Sequence, residues 1–320
     1  MNLTEFESKL NEWGRNQVPF LFLVDFEMEK PIAWRSDEIP SEILFSINNS
    51  AQISREIDGR PELKKHSISV NEYKSKFDLV KKRISFGDSY LTNLTVRTKI
   101  DLDQSLEELY FQVPAKYKVC WKNKFLVFSP ETFVQIKEGE IFSYPMKGTI
   151  DASITNAEEI ILKDQKELSE HVTIVDLIRN DLSTVASNVT VNRFRYVEKI
   201  RTNQKDLLQV SSEICGKLQQ NYQQNVGSIL VSLLPAGSVS GAPKNKTLQI
   251  IREAEMEKRG YYTGVVGFFD GKNLDSGVMI RFIEQDKNEF YYRSGGGITS
   301  QSKMENEYQE AIDKIYVPVY

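Results

Sequence analysis

The chain has 320 residues, with 41 Lys and Arg against 45 Asp and Glu, for a net charge of −4. That balance lacks the basic excess of a protein that binds a phosphate backbone, and 40% hydrophobic with 27% charged residues is an ordinary globular composition. No apolar run approaches the roughly 18 residues of a spanning helix, and two cysteines with two histidines exclude a disulfide framework and a three-histidine zinc site.

The acidic start has no apolar signal-peptide centre, so the cytoplasm is the expected compartment. The first 60 residues read as edge structure. Residues 19–27, PFLFLVDFE, form a buried strand with PIAW as its hairpin partner. Residues 53–67 are polar and loop-like. Ser69 and Glu72 have the spacing of a capping box. Tyr73, Phe77, Val80 and Ile84 then repeat at helical intervals until Gly87. Residues 90–100 alternate like a strand, and Leu106 to Val113 marks a short helix. Next come YKVCW, FLVFS, TFVQIK and IFSYPM, strands separated by turn residues. Helices are expected at 156–163 and 166–182, strands over 189–215, and a helix at 226–233. The loop PAGSVSGAPK and a helix at 246–258 lead to three strands, YTGVVGFFD, LDSGVMIRFI and EFYYRS. Gly295, Gly296 and Gly297 break the chain before a last helix at 303–316. Strands joined by tight turns pair antiparallel. The expected fold class is therefore α+β, in one unit spanning 1–320.

Several residues invite chemistry. Glu307 and Glu310 share one helix face, as do Glu167 and Glu170. Two such pairs facing each other would offer hard oxygen ligands of the kind Mg²⁺ prefers; a lone pair at this spacing is more commonly a solvated helix face. The three glycines read either as an anion-binding stretch at positive φ or as a tight turn. GSVSGAPK, with Lys244, suits an anion loop at a helix start, though it lacks the Walker order. Arg281, in an apolar strand, has either a fixed anionic partner or an edge position. A three-residue loop centred on Gly139 would set Lys137 against Ile141 and Glu131 against Lys147. That pair reads either as a cross-strand salt bridge or as a nucleophilic amine beside a proton donor.

The segments YLTNL, SPETF, PMKGT, KELSEHVTIVDLIRNDL, GSVSGAPK, RGYYTGVVG, MIRF and GGGITSQSKMENEYQE occur in this order. Together they resemble the chorismate-utilising enzymes: component I of anthranilate and aminodeoxychorismate synthases, and isochorismate and salicylate synthases. The resemblance covers residues 85–316, with 1–84 as a shortened N-terminal part. It implies an α+β sandwich of antiparallel sheets with outer helices, and a Mg²⁺ held by Glu170 and Glu310 with Glu167 and Glu307 nearby or acting through water. It implies chorismate binding by Tyr262, Arg281, Gly295, Gly296 and Gly297, with Ser240 and Lys244 of the GSVSGAPK segment in the substrate set.

In this family the motif around Lys147 reads P-I-A-G-T in anthranilate and isochorismate synthases and P-I-K-G-T in aminodeoxychorismate synthases; here it is P-M-K-G-T. The resemblance implies that Lys147 attacks C2 of chorismate, that ammonia then attacks C4, and that Glu131 is the general acid/base. Gln209 stands where anthranilate synthases have a histidine associated with pyruvate loss. Ile150 replaces a common arginine, and Ser240 a usual threonine. No tryptophan-binding motif is present, so tryptophan feedback is not expected. Cys120 and Cys215 lie in no glutaminase context, and no fused lyase is expected after the last helix. The implied activity is component I of aminodeoxychorismate synthase, supplied with ammonia by a separate glutamine amidotransferase subunit. The alternatives are anthranilate synthase component I and a catalytically silent binding subunit.

Overall fold

A computed structural model describes residues 1–48, 57, 59–200 and 206–318. The chain opens with α1 (Leu3–Arg15), β1 (Phe20–Val24), β2 (Ile32–Arg35), β3 (Ile43–Ile47) and β4 (Leu63–His66). Then come α2 (Val70–Ser85), β5 (Leu91–Leu102), α3 (Leu106–Gln112), β6 (Tyr117–Trp121), β7 (Phe125–Ser129), β8 (Thr132–Lys137), β9 (Glu140–Ser143) and β10 (Met146–Asp151). The middle holds α4 (Ala157–Lys163), α5 (Gln165–Ser183), β11 (Ser187–Ile200), β12 (Leu207–Lys217), α6 (Val226–Leu233), the single turn α7 (Gly237–Ser240) and β13 (Gly241–Ala242). The end comprises α8 (Lys244–Glu255), β14 (Val265–Phe269), β15 (Leu274–Val278), β16 (Phe282–Asp286), β17 (Glu289–Ile298) and α9 (Met304–Asp313).

The strands form two antiparallel sheets. One is nine-stranded, in the order β10-β12-β9-β8-β15-β14-β1-β2 with β11 beside β12. The other is eight-stranded, in the order β13-β5-β17-β16-β7-β6-β3 with β4 beside β5. Leu21, Leu23 and Val266 of the first sheet pack against Tyr117, Val119, Val127 and Phe282 of the second, so the sheets lie face to face. The alternate residues Phe20, Phe22 and Val24 point the other way, onto α1, α5 and α6. Both faces of β1 are covered, and its sequence is accordingly an unbroken apolar run. The second sheet's outer face carries α3 over one part and α2, α8 and α9 over another. This is the expected α+β sandwich with outer helices. Among the described residues no helix is long and apolar enough to cross a membrane.

Several expectations need correction. The first 60 residues are not all edge structure. β1 lies inside its sheet, between β14 and β2, and α1 was not anticipated. Its signal is present in the sequence: Asn2 and Glu5 form a reciprocal capping box, and Phe6, Leu10 and Trp13 line one buried face. Within 53–67, residues 53–56 and 58 lie outside the described residues, and Leu63–His66 is a strand rather than loop. The β8–β9 hairpin turns on two residues, Glu138 and Gly139, so Lys137 faces Glu140 rather than Ile141. IFSYPM is not one strand: β9, between β8 and β12, stops at Ser143, and β10 resumes at Met146 along β12 alone. LDSGVMIRFI likewise divides. β15 belongs to the first sheet and β16 to the second, with Met279 to Arg281 crossing between them. α2 is as expected, with Ser69 accepting from the Glu72 N–H and Tyr73, Phe77, Val80 and Ile84 buried.

Candidate active site

A cavity of about 470 Å³ opens where the two sheets meet α5 and α9. Its size suits a small-molecule ligand. Both sheets contribute to it: β10 and β12 from the first, β5 and β17 from the second, with the β15–β16 crossing between them.

Glu131 and Lys147 both line this cavity, but not by the expected pairing. With the hairpin register shifted by one and β9 ended, no ladder joins them. Glu131 precedes β8, and its backbone carbonyl accepts from Val278 N–H. Lys147 is presented by a bulge in β10, where the register with β12 shifts between Met146 and Thr149. Gly148 supplies the bulge with φ +86°, the left-handed conformation in which a side chain is strained. A Cβ there would also stand 3.0 Å from a Glu167 carboxylate oxygen. Burial raises the Glu131 pKa, while a hydrogen bond from Ser238 (2.5 Å) and the charges of Lys147 and Lys314 oppose the rise. The Lys147 ammonium also acts on Glu170 and Glu310. An amine among carboxylates at a bulge can serve as a nucleophile with a proton donor beside it.

All four helix carboxylates reach the cavity wall: Glu167 and Glu170 from α5, Glu307 and Glu310 from α9. Burial and neighbouring carboxylates raise the pKa of Glu170 and of Glu307. Burial acts the same way on Glu310, but Lys314 at 2.7 Å outweighs it and lowers the pKa. Lys166 lies 3.8 Å from Glu170 and 4.0 Å from Glu307. Among the described residues no three His, Cys, Asp or Glu side chains converge as a ready cation cage. Mg²⁺ asks for less than that, commonly one or two carboxylates completed by substrate and water. Hard oxygen donors whose mutual repulsion a cation would relieve fit the ion.

Arg281 sits in the crossing between the sheets, at φ +54°, rather than within a strand. It lines the cavity and donates one hydrogen bond to the Lys314 carbonyl at 3.0 Å. Tyr262 also lines the cavity, and burial pushes its hydroxyl up to about 12. The three glycines line the cavity, but they neither turn the chain nor adopt positive φ. They extend β17, with Gly295, Gly296 and Gly297 opposite Thr95, Leu94 and Asn93. What matters is the missing side chain. A Cβ on Gly296 would lie 3.3 Å from Glu310 Oε1, and one on Gly297 would lie 3.3 Å from Lys147 Nζ. The strand backbone thus forms a wall against which the charged groups close.

Two expected substrate residues fall outside the cavity. Ser240 is fully buried and donates to the Ala236 carbonyl. Lys244 is spent on Asp181 at 2.9 Å and on the Leu233 carbonyl. In GSVSGAPK it is Ser238, bonded to Glu131, and Val239 that line the site. Of the departures noted in the sequence, Gln209 lines the cavity opposite Thr149, whereas Ile150 does not. Sequence reasoning also missed Lys314, which grips Glu310 and the Gly295 carbonyl, and Arg259. The Arg259 guanidinium is buried, bonds both Glu255 oxygens, and donates to the carbonyls of Asn93 and Val239, two residues of the cavity wall. Nothing local marked it, since it follows Glu257 and Lys258 in a charged run.

Residues 23–319 match the chorismate binding enzyme family. The chain belongs to that family. The match begins well before residue 85, within β1, an interior strand of its sheet here. A PabA-like protein of Pasteurella multocida is 50% identical over the full length of both chains, and one of Haemophilus influenzae is 47% identical over 99% of this chain and 97% of its own. Aminodeoxychorismate synthase component 1 of Bacillus subtilis is 31% identical over 74% of this chain. Anthranilate synthase component 1 of Aquifex aeolicus is 31% identical over 81%. The chain spans about half the length of those two synthases, 52% and 54%. The crystal structure of anthranilate synthase component I from Streptococcus pneumoniae superposes with a TM-score of 0.67 at 28% identity, covering 80% of this chain and 59% of the other. A Bacillus anthracis isochorismate synthase structure shares the fold at 0.74 and 19% identity, covering 98% and 88%.

Proposed function

We propose that this chorismate-binding chain aminates chorismate at C4, as component I of an aminodeoxychorismate synthase. The observation that carries the reading is Lys147, an amine presented by the Gly148 bulge into the cavity it shares with Glu131. Lys147 first gives its ammonium proton to solvent, and its neutral amine then forms a bond to C2 as the C4 hydroxyl departs, with protonated Glu131 giving its proton so that water leaves. Burial favours that protonated form. Ammonia then bonds to C4 while the electrons of the C2–N bond return to Lys147. Glu131 takes back a proton from the new ammonium, leaving 4-amino-4-deoxychorismate. Arg281 and Lys314 offer positive charge to the substrate's two carboxylates, and Tyr262 packs beside them. Mg²⁺, bound by Glu170 and Glu310 with Glu167 and Glu307 near, would supply positive charge against a substrate carboxylate.

The ammonia source in this reading is a separate glutamine amidotransferase subunit. The Bacillus subtilis relative is likewise a component 1. Neither cysteine of this chain suits glutamine hydrolysis: Cys120 is buried in β6 with its thiol pushed up to about 12 by burial, and Cys215 is also buried with a raised pKa.

Anthranilate synthase is the second reading, favoured by the Aquifex aeolicus relative. Lys147 and Gln209 speak against it. Purified protein with chorismate, Mg²⁺ and ammonium separates the two, with the product identified by mass. Aminodeoxychorismate, convertible to 4-aminobenzoate by added lyase, supports amination at C4. Anthranilate with released pyruvate would refute it.

A further inference from the structure

One buried titratable side chain behind the cavity wall has no part in the chemistry above. His171 follows Glu170 in α5 and is 0% exposed. Its Nε2 lies 2.7 Å from Ser212 Oγ of β12, which also accepts from the Arg195 N–H of β11 at 2.9 Å. The Ser212 N–H donates to the Pro145 carbonyl at 3.0 Å, two residues before Lys147. Ser212 is itself fully buried, so its hydroxyl proton needs an acceptor, and among the described residues Nε2 supplies it. Burial beside the Arg195 charge keeps the ring neutral. With Nε2 accepting, the single ring proton sits on Nδ1. Nδ1 is buried without a hydrogen bond of full geometry, and the Lys147 backbone acts on the ring as an acceptor does.

We propose that His171 is the positioning residue for the nucleophile: keyed by Ser212, its Nδ1–H fixes the Lys147 backbone at the bulge and so aims the amine at the substrate. The inference rests on the aminating reading above, in which Lys147 bonds to C2. The bulge needs such a hold. Pairing between β10 and β12 passes from Met146 with Ser211 directly to Thr149 with Gln209, and neither Lys147 nor Gly148 has a partner in that ladder. Gly148, at φ +86°, adds the conformational freedom of a glycine at the same point. Lysine carries its amine on a long flexible stem, so a loose backbone beneath it spreads the amine over a wide volume. A buried ring on α5 supplies the missing anchor, from the residue next to Glu170. The lysine backbone and that carboxylate are thereby referred to one rigid helix. An apolar side chain of similar volume would fill this place with no buried polar atom to satisfy; a histidine there has a use for both ring nitrogens.

The test exchanges the two ring nitrogens for amides. His171→Asn keeps a donor where Nδ1 stands and loses the contact to Ser212, whereas His171→Gln keeps a polar group near Nε2 and loses Nδ1. Both are assayed for amination of chorismate with saturating Mg²⁺ and ammonium, and the melting temperature of each is measured. A small displacement beneath a nucleophile costs on the order of a hundredfold in rate. The expected result is a kcat lower by about a hundredfold in His171→Gln, with the chorismate KM within about twofold of wild type, and a His171→Asn kcat about tenfold or more above that of His171→Gln. Ser212→Ala, a smaller change, decides the matter if the histidine variants do not fold: the ring loses its key, and kcat should fall about tenfold at an unchanged chorismate KM. A wild-type kcat in His171→Gln, a His171→Asn kcat no higher than that of His171→Gln, or a loss that falls on the chorismate KM instead of kcat overturns the inference and leaves the aminating reading standing. So does an unaltered kcat in Ser212→Ala. If wild-type protein aminates chorismate at no ammonium concentration, the reading and the inference fall together.

Discussion

Replacing Arg259 by methionine tests what holds the cavity walls in place. Arg259 and Glu255 are each 1% exposed, and their side chains meet in two hydrogen bonds of 2.9 and 2.6 Å. Glu255 also accepts from the Thr95 N–H and hydroxyl, while the guanidinium lies 4.4 Å over the Phe26 ring. Methionine fills much of the volume but leaves a buried carboxylate without its cation, and the Asn93 and Val239 carbonyls without their donor. Breaking a buried pair from one side costs about 3–5 kcal/mol. In a chain of this size that corresponds to a fall in melting temperature of roughly 4–8 °C. Urea and thermal unfolding followed by tryptophan fluorescence measure it. The double variant Arg259→Met with Glu255→Met removes both charges and should be less destabilised than Arg259→Met alone. Because Asn93 and Val239 line the cavity, kcat/KM for chorismate should fall in the single variant even well below its melting temperature. A loss under about 1 kcal/mol, the scale of an exposed pair, would refute the argument that this pair anchors the site.

Glu170→Ala or Glu310→Ala should abolish Mg²⁺-dependent chorismate binding in titration calorimetry, with little change in melting temperature without substrate; unchanged Mg²⁺-dependent binding would reject the metal assignment. Ser238→Ala removes the donor that favours ionised Glu131, so the Glu131 pKa should rise further. Glu131 acts first in its protonated form, so the limb of the pH–rate profile that falls as pH rises should move to higher pH; an unmoved limb contradicts the role. Glutamine should support turnover only with a separate glutaminase subunit, whereas ammonium at high pH should support it alone; glutamine hydrolysis by the pure chain would overturn this.

Much of the site was legible because its residues lie in short segments with strong local character. Glu131, Lys147, the helix carboxylates, Tyr262, Arg281 and the glycines all line one cavity. The paths that bring them there were less legible. Two-residue and three-residue turns at Gly139 differ by one step of register, and local sequence does not decide between them. Lys147 still lines the cavity with Glu131, where the Gly148 bulge breaks the β10 register after the hairpin has ended. The LDSGVMIRFI run alternates as if continuous, yet Arg281 at positive φ turns it from one sheet into the other. Only the packing of two sheets demands that crossing. The backbone of the glycines was misread for a similar reason: a Cβ there would crowd Lys147 and Glu310, which come from elements distant in sequence. Ser240 and Lys244 looked like ligands in a loop, but Lys244 is drawn off by Asp181 of α5. α1 was missed although its capping box and apolar spacing were both visible.

The central claim is that Lys147 is the nucleophile, and intact-protein mass spectrometry tests it most directly. Protein is mixed with chorismate and Mg²⁺ without ammonia and quenched rapidly. The account predicts a species heavier by chorismate less one water, mapped by peptide digestion to Lys147, absent in Lys147→Ala and discharged when ammonium is added. The same samples are assayed for product. Aminodeoxychorismate formed by Lys147→Ala at the wild-type rate contradicts it outright.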